Sequence, residues 1–297
     1  MKCDLCPRKC LVDRKKGEKG ICGQTENLKV ARAALHFWEE PCISGDAGSG
    51  AVFFSGCPLH CVFCQNENIA NGTVGKEISL ERLVDIFLEL QEKGANNINL
   101  VTPGHFVPQI VKALDQAKKE GLTLPVVYNT SSYETVDTIK RLEGYVDIYL
   151  PDFKYMSPVL SKKYSHAPDY AEVAKAAIAE MVRQTGKAVF VNGDEDNLIL
   201  RGTIVRHLTL PGCMADSMQI LKYLHETYGD MIYISIMNQF TPLSNLEMYP
   251  ELNRRITDEE YETLVDYAID IGIENGFIQE GDTAEESFIP AFDCEGV

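Results

Sequence analysis

The sequence contains no long hydrophobic run, and its basic residues are in a clear minority. None of its apolar stretches reaches the ~18 residues that a membrane-spanning helix needs. The N-terminus turns basic by Arg8 without the apolar stretch of a signal peptide, so we expect a cytoplasmic protein with no membrane association. The 44 acidic residues outnumber 28 basic ones, which gives a net charge of −16. A surface this acidic repels phosphate backbones, so we expect no nucleic-acid partner.

Cysteine, in contrast, is abundant: the chain of 297 residues has ten, and eight of them precede residue 65. Disulfides are disfavoured in a reducing compartment, so clustered cysteines are better explained as metal or redox ligands. Cys3, Cys6, Cys10 and Cys22 have the spacing C-x2-C-x3-C-x11-C, enough for a tetrathiolate zinc site or an iron–sulfur cluster. Zinc is favoured, because a small segment with little core benefits from a structural metal. Cys42 is either a spare thiol or a substitute ligand.

The apolar pattern predicts six strands that alternate with six helices. The predicted strands are 51–55, 97–101, 125–129, 146–150, 202–210 and 231–237. The predicted helices are 79–94, 108–120, 134–142, 170–184, 216–228 and 257–271. This alternation implies parallel strands joined by right-handed crossovers, and therefore an α/β fold: a partial (β/α)6 TIM-like barrel. Residues 188–191 are predicted to form a side hairpin.

We expect two parts: a cysteine-rich metal-binding cap at residues 1–45, and a core barrel with a C-terminal helix and tail at residues 46–297. In such folds the chemistry lies where the strands end and the loops begin. The residues directly after each apolar run are therefore the candidates for a functional site.

The first predicted strand leads directly into Cys57, Cys61 and Cys64, which have the spacing CxxxCxxC. Three thiolates so spaced can hold a cubane cluster and leave one iron without a protein ligand. An open metal position is what coordination of an outside ligand requires. A zinc site with His60 as a fourth ligand is the alternative, although zinc sites usually use paired two-residue knuckles.

With Phe63 before the last cysteine, and with its place after the first barrel strand, this motif resembles that of the radical S-adenosylmethionine superfamily. The resemblance implies an enzyme whose 4Fe–4S cluster binds S-adenosylmethionine through the unique iron, with Phe63 among the cofactor contacts. One electron, from a reductant such as flavodoxin or ferredoxin, then cleaves the cofactor to methionine and a 5′-deoxyadenosyl radical, which abstracts hydrogen from a substrate. The N-terminal cysteines would then hold zinc or a second cluster.

The residues after the next three strands also resemble family motifs. Thr102-Pro-Gly-His105 stands where the superfamily often has a Gly-Gly-Glu-Pro turn, which implies cofactor contacts at Thr102 and His105. Asn129-Thr130 and Asp152-x-Lys154 resemble two motifs of activating enzymes of glycyl-radical proteins, with Asn129 in place of an aspartate. There, oxygens of both turns can hold a monovalent cation beside the cofactor, which implies Asn129, Thr130 and Asp152 as oxygen ligands here. A surface ion pair between Asp152 and Lys154 is the alternative.

Arg206 lies within the apolar run of the fifth strand. An unpaired buried charge is expensive, so this guanidinium must find an anion. The carboxylate of S-adenosylmethionine is one candidate, and a structural carboxylate is the other. His207, the next residue, should point to the opposite face of the sheet.

Across nearly the whole chain, the motifs resemble the uncharacterised branch of the superfamily related to pyruvate formate-lyase activating enzyme. They include Cys3–Cys10, His36–Pro41, Tyr149–Lys154 and the tail Phe288–Asp293. The resemblance implies an activase that abstracts hydrogen from a glycine of a partner, a glycyl-radical enzyme. Modification of a small molecule or peptide is an alternative within the same chemistry. A non-catalytic, metal-stabilised binding protein is the alternative of another class.

Overall fold

The computed structural model describes residues 2–195, 197–243, 246–279 and 290–297. The described part contains ten strands: β1 (Leu28–His36), β2 (Ser49–Phe54), β3 (Lys76–Ile78), β4 (Ile98–Val101), β5 (Val126–Thr130), β6 (Ile148–Pro151), β7 (Val189–Phe190), β8 (Ile199–Leu208), β9 (Tyr233–Met237) and β10 (Gly276–Ile278). Its α-helices are α1 (Pro41–Ser44), α2 (Glu67–Ala70), α3 (Leu80–Glu92), α4 (Val107–Lys119), α5 (Val136–Lys140), α6 (Pro158–Ser165), α7 (Tyr170–Thr185), α8 (Met214–Tyr228) and α9 (Asp258–Asp270).

The strands form one sheet in the order β10-β9-β8-β6-β5-β4-β2-β1-β3, with β7 paired to β8 off this path. Every pair from β2 to β10 along that order is parallel, whereas β1 pairs antiparallel with both β2 and β3. Strands β10 and β3 are the two ends of the order, so the sheet does not close. The expected partial α/β barrel is confirmed.

The six predicted strands are confirmed as β2, β4, β5, β6, β8 and β9, and the predicted helices as α3, α4, α5, α7, α8 and α9. Ser79 caps α3 by accepting a hydrogen bond from the backbone of Arg82, and Thr257 with Glu260 forms the capping box of α9. The side hairpin is β7 against β8. The tail motif was predicted to run from Phe288, but the described residues resume only at Pro290.

Strand β1 runs inside the segment predicted as a separate cap, and it extends the main sheet beside β2. Nearby, Ala31 and Ala33 take part in backbone hydrogen bonds with Cys294 and Glu295 of the chain's last residues. The division of the chain at residue 45 stays a prediction, but the sheet draws on both sides of it.

The two faces of the sheet carry different residues. On β5, Val126 and Tyr128 pack outward with α3 and α4, whereas Val127 faces a second cluster inside the barrel. That interior cluster includes Cys42 and Ile43 of α1. We call residues 37–45 the plug, because its helix α1 packs inside the barrel.

The plug is held from the loop before β4. Asn97 donates to the carbonyl of Ile43 at 2.8 Å and accepts from Ser49 at 2.6 Å, and Asn96 donates to the carbonyl of Ser44. No helix in the described part of the chain has both the length and the apolar content to cross a membrane.

Candidate functional site

A cavity of about 410 Å³ opens where the parallel strands end. This volume falls within the ~300–1,000 Å³ of small-molecule pockets. Its walls carry Thr102 after β4, Asn129 and Thr130 on β5, Asp152 after β6 and Arg206 on β8. The predicted location of the chemistry, at the carboxyl ends of the strands, thus coincides with a real cavity.

The cysteine loop after β2 forms one wall of this cavity, since Cys57, Cys61 and Cys64 all line it. Burial raises the pKa of Cys57 to about 11 and that of Cys64 to about 12, so these thiols hold their protons unless a cation or metal stabilises the thiolates. The hydroxyl of Ser165, on α6, donates to the sulfur of Cys61 at 2.9 Å.

His60, the alternative fourth ligand in a zinc site, is directed away from these thiols. Its backbone has a positive φ of 50°, its Nε2 lies 2.8 Å from the carbonyl of Ile21 and its Nδ1 lies 3.1 Å from the amide oxygen of Asn71. Both ring nitrogens are therefore engaged with the N-terminal segment and with α2's end. The three thiols face the cavity without it.

Arg206 is the centre of the polar network in the cavity. Its Nε donates to Asp152 at 3.0 Å and its Nη1 to Glu39 at 2.9 Å. Its Nη2 donates to the amide oxygen of Asn129 at 2.6 Å. The structural carboxylates considered as its partners are thus present, and the guanidinium is held by three elements. His207 points to the opposite face, as predicted, and contacts Ser217 of α8.

Asp152 joins Arg206 to Lys154, whose ammonium donates to the other carboxylate oxygen at 2.7 Å. Burial alone would raise the pKa of Asp152, but Lys154 and Arg206 together lower it. The side-chain oxygens of Asn129 and Asp152, implied as ligands of a monovalent cation, accept hydrogen bonds from these two side-chain cations, and their role as cation ligands stays a prediction. The hydroxyl of Thr130 donates to Glu134 at 2.5 Å.

Two predicted cofactor contacts lie outside the cavity wall. His105 is buried beneath it, with Nε2 2.7 Å from the carbonyl of Ser55, and burial lowers its pKa to about 3. Phe63 is buried against Phe240 at a ring-centroid distance of 6.0 Å. His105 lies within a short 3-10 turn after β4 that directs its ring toward the strand backbone and away from the cavity.

Glu39 and Glu40 of the plug are the site residues that sequence reasoning missed, and both line the cavity. Glu39 accepts hydrogen bonds from Asn99, Asn129 and Arg206. The available signal was a pair of adjacent acidic residues within the motif His36–Pro41. It was missed because only residues directly after the predicted strands were candidates, and the plug precedes the first of those strands, 51–55.

The N-terminal cysteines lie near one another, because Cys3, Cys10 and Cys22 each add to the rise in the pKa of Cys6, whose main cause is burial. The backbone of Ile21 donates to the sulfur of Cys10 at 3.3 Å. Across the described ranges, no three His, Cys, Asp or Glu side chains were found that could hold a metal ion. The thiolate ligands of a cubane cluster lie farther apart than those of one metal ion, because the cluster lies between them. This finding therefore concerns only sites for single ions. The metal of this group stays a prediction.

The comparisons with known proteins agree with the fold and the cysteine loop. The sequence profile of the Radical SAM superfamily matches residues 51–199, which include most of β2, the cysteine loop and the strands from β3 through β7. An uncharacterised protein of Methanocaldococcus jannaschii is 27% identical over 276 residues, covering 90% of this chain and 74% of its own length.

Two solved structures share the architecture. SuiB of Streptococcus suis, bound to S-adenosylmethionine, matches 80% of this chain and 51% of its own with a TM-score of 0.52 and 14% identity. HydG, a maturase of the FeFe hydrogenase, matches 78% of this chain and 52% of its own with a TM-score of 0.51 and 15% identity. The chain spans about half the length of these two proteins, and at such identities the likeness extends to the fold alone.

Proposed function

Because this chain belongs to the radical S-adenosylmethionine superfamily, we propose that Cys57, Cys61 and Cys64 hold a 4Fe–4S cluster and that the adjoining cavity binds S-adenosylmethionine. The main support is that three thiols line one cavity, while both ring nitrogens of the neighbouring His60 have hydrogen-bond partners outside it. When bound and reduced, the cluster would supply the electron that cleaves the sulfonium cofactor and so releases a radical for hydrogen abstraction.

The chain's own residues would hold the cofactor and keep water out. Thr102, Asn129 and Thr130 place oxygens and amide groups on the cavity wall, where they can orient the cofactor's polar end. Burial raises the pKa of the Cys61 thiol, and the positive charge of Lys154 opposes that rise. Asp152 fixes the position of Lys154 through one ion pair and is itself held by Arg206 through another.

Anaerobic reconstitution of wild type and a Cys57→Ala variant tests this proposal. We expect the variant to contain about four fewer irons per chain and to form no 5′-deoxyadenosine on reduction with dithionite. Cys213→Ala is the matched control, because that thiol lies outside the cavity lining. If Cys57→Ala still cleaves S-adenosylmethionine, or if wild type never binds it, the ligand assignment is wrong.

We further propose that the radical takes hydrogen from a glycine of a partner protein. The support is the resemblance of Asn129-Thr130 and Asp152-x-Lys154 to the activating enzymes, together with the meeting of both segments at Arg206. Electron paramagnetic resonance of a candidate partner mixed with reduced enzyme would detect a glycyl radical. Substrate-dependent 5′-deoxyadenosine formation with a small molecule or short peptide, and no protein radical, would favour the alternative.

A further inference from the structure

The carboxyl groups in the cavity differ in whether their charges are compensated. Glu39, Glu40 and Asp152 line it together with two cations, Lys154 and Arg206. Asp152 is bonded to both cations, and Glu39 is bonded to Arg206 and to two asparagine amides. The described lining therefore has one carboxyl more than it has cations, and that carboxyl belongs to Glu40.

The side chain of Glu40 is buried, but its carboxyl group lacks part of its hydrogen bonding. It is 8% exposed, and its Oε2 atom has no hydrogen-bond partner. The Arg206 nitrogens donate to Asp152, Glu39 and Asn129, and Ser235 of β9 hydrogen-bonds to the Glu40 carboxyl but leaves its Oε2 without a partner. A buried carboxyl oxygen without a partner is costly, and a water, an ion or a ligand that bonds to it removes that cost.

The surroundings of Glu40 would suit a basic group on a hydrocarbon stem. Pro41, Met237 and Phe277 line the same cavity and offer apolar contacts, while Trp38 stands at the rim with 55% of its surface exposed. Aliphatic stems pack on apolar side chains while their charged ends bind carboxylates, and indole faces attract cations. Burial raises the pKa of Glu40, whereas Arg206 opposes that rise.

We propose that Glu40 is the recognition group for a substrate that presents a primary amine or guanidinium to the floor of this cavity. This inference rests on the proposed function, since it names the substrate class of the same site. The basic group would bond to Oε2 of Glu40 and complete the charge balance of the lining. It would also fix the distance between the substrate's reacting carbon and the cofactor.

Calorimetric titration of the reconstituted protein, with S-adenosylmethionine present and no reductant, tests the inference. Agmatine represents a free amine, and acetyl-Gly-Lys-Gly-amide represents a basic side chain; acetyl-Gly-norleucine-Gly-amide is the neutral analogue. We expect at least one basic probe to bind tenfold or more tightly than the neutral one, about 1.4 kcal/mol. Which of the two binds tells a free metabolite from a peptide.

Glu40→Gln should abolish that preference, and Asp46→Asn, which removes an exposed charge just after α1, should retain it. No preference in wild type, or a preference that survives in Glu40→Gln, overturns the inference. So does a preference that disappears when S-adenosylmethionine is added, because the carboxyl would then serve the cofactor. Formation of 5′-deoxyadenosine by wild type is measured separately, so the proposed function can stand when this inference fails.

If Glu40→Gln does not fold, an experiment on the wild-type protein alone still tests the inference. Activation with a carbodiimide in the presence of agmatine joins the amine to a carboxyl as an amide, while the carbodiimide takes up the water. We expect mass spectrometry to find the adduct at Glu40 and to show that excess acetyl-Gly-Lys-Gly-amide reduces it. Modification only at exposed acids such as Asp46 would contradict the inference.

Discussion

At the scale of single residues, Arg206 connects the parts of the site. One guanidinium bonds to the plug through Glu39, to β5 through Asn129 and to the end of β6 through Asp152. The sequence predicted that it must find an anion, because the residues around it are apolar. The identity of the anion was not predictable, since Glu39 lies 167 residues away in the chain.

Replacing Arg206 should therefore lower the free energy of unfolding substantially. Arg206→Met leaves the carboxylates of Glu39 and Asp152 without their main cation, and breaking a buried pair typically costs ~3–5 kcal/mol. Urea unfolding of the variant should show a loss of that order. Lys119→Met, which removes an exposed pair with Asp115, should cost ~0.5 kcal/mol or less. Similar losses of stability in both variants would mean that the hydrogen-bonded network around Arg206 adds little to the stability of the fold.

The buried histidine His105 predicts a dependence of stability on pH. Burial lowers its pKa to about 3, whereas the unfolded chain should bind a proton near the ordinary value of 6.5. Between these values the unfolded state holds the extra proton, so stability falls as pH decreases, by roughly 1.4 kcal/mol per pH unit below the unfolded value. Unfolding measured from pH 7 to pH 5 should show a shallower slope for His105→Gln. His166→Asn, at an exposed site, should keep the wild-type slope.

At the scale of elements, apolar periodicity predicted the six central strands because each is buried on both faces. It did not predict β1, where Arg32 and His36 interrupt the apolar residues, or β3 and β10, which have three residues each. Candidate residues at the strand ends were predictable because they directly follow the apolar runs that predicted the strands. Glu39 and Glu40 were not, because only tertiary structure brings the plug into the barrel.

The stability of the plug should depend on the hydrogen bonds of Asn97. Asn97→Ala removes the donor to the carbonyl of Ile43 and the acceptor for Ser49, all of them buried. Leaving such groups unbonded costs ~1–3 kcal/mol each. We expect lower stability in urea and faster hydrogen exchange across residues 37–45. Asn275→Ala removes only an exposed 3.4 Å contact and should change neither measurement.

At the scale of the whole molecule, the last residues of the chain return to the first strand of the sheet. Ala33 donates to the carbonyl of Glu295, Cys294 donates to Ala31, and Arg82 donates to the carbonyl of Gly296. Pro290, at the start of this segment, lines the cavity. The tail motif marked this segment as part of the resemblance, but no local pattern indicated that it would dock on β1.

Gly296 allows that docking, because a Cβ atom there would overlap the carbonyl oxygen of Ala33. Gly296→Ala should therefore release the tail, which would appear as faster hydrogen exchange at Ala33 and easier removal of the tail by carboxypeptidase. Gly212 has nearly the same φ, 71° against 72°, but open space around it. Gly212→Ala should show only the ~1–2 kcal/mol of left-handed strain, with the tail still protected.

The hydrogen bond from Ser165 to Cys61 bears on the redox balance of the proposed cluster. A hydroxyl that donates to a ligating sulfur withdraws electron density and favours the reduced state, and such bonds are among the factors that set cluster potentials. Ser165 is itself bonded to Tyr155, so its hydroxyl is held in place. If the proposed cluster is bound there, its readiness to accept an electron would therefore be set partly by α6, an element that contributes none of the three proposed ligands.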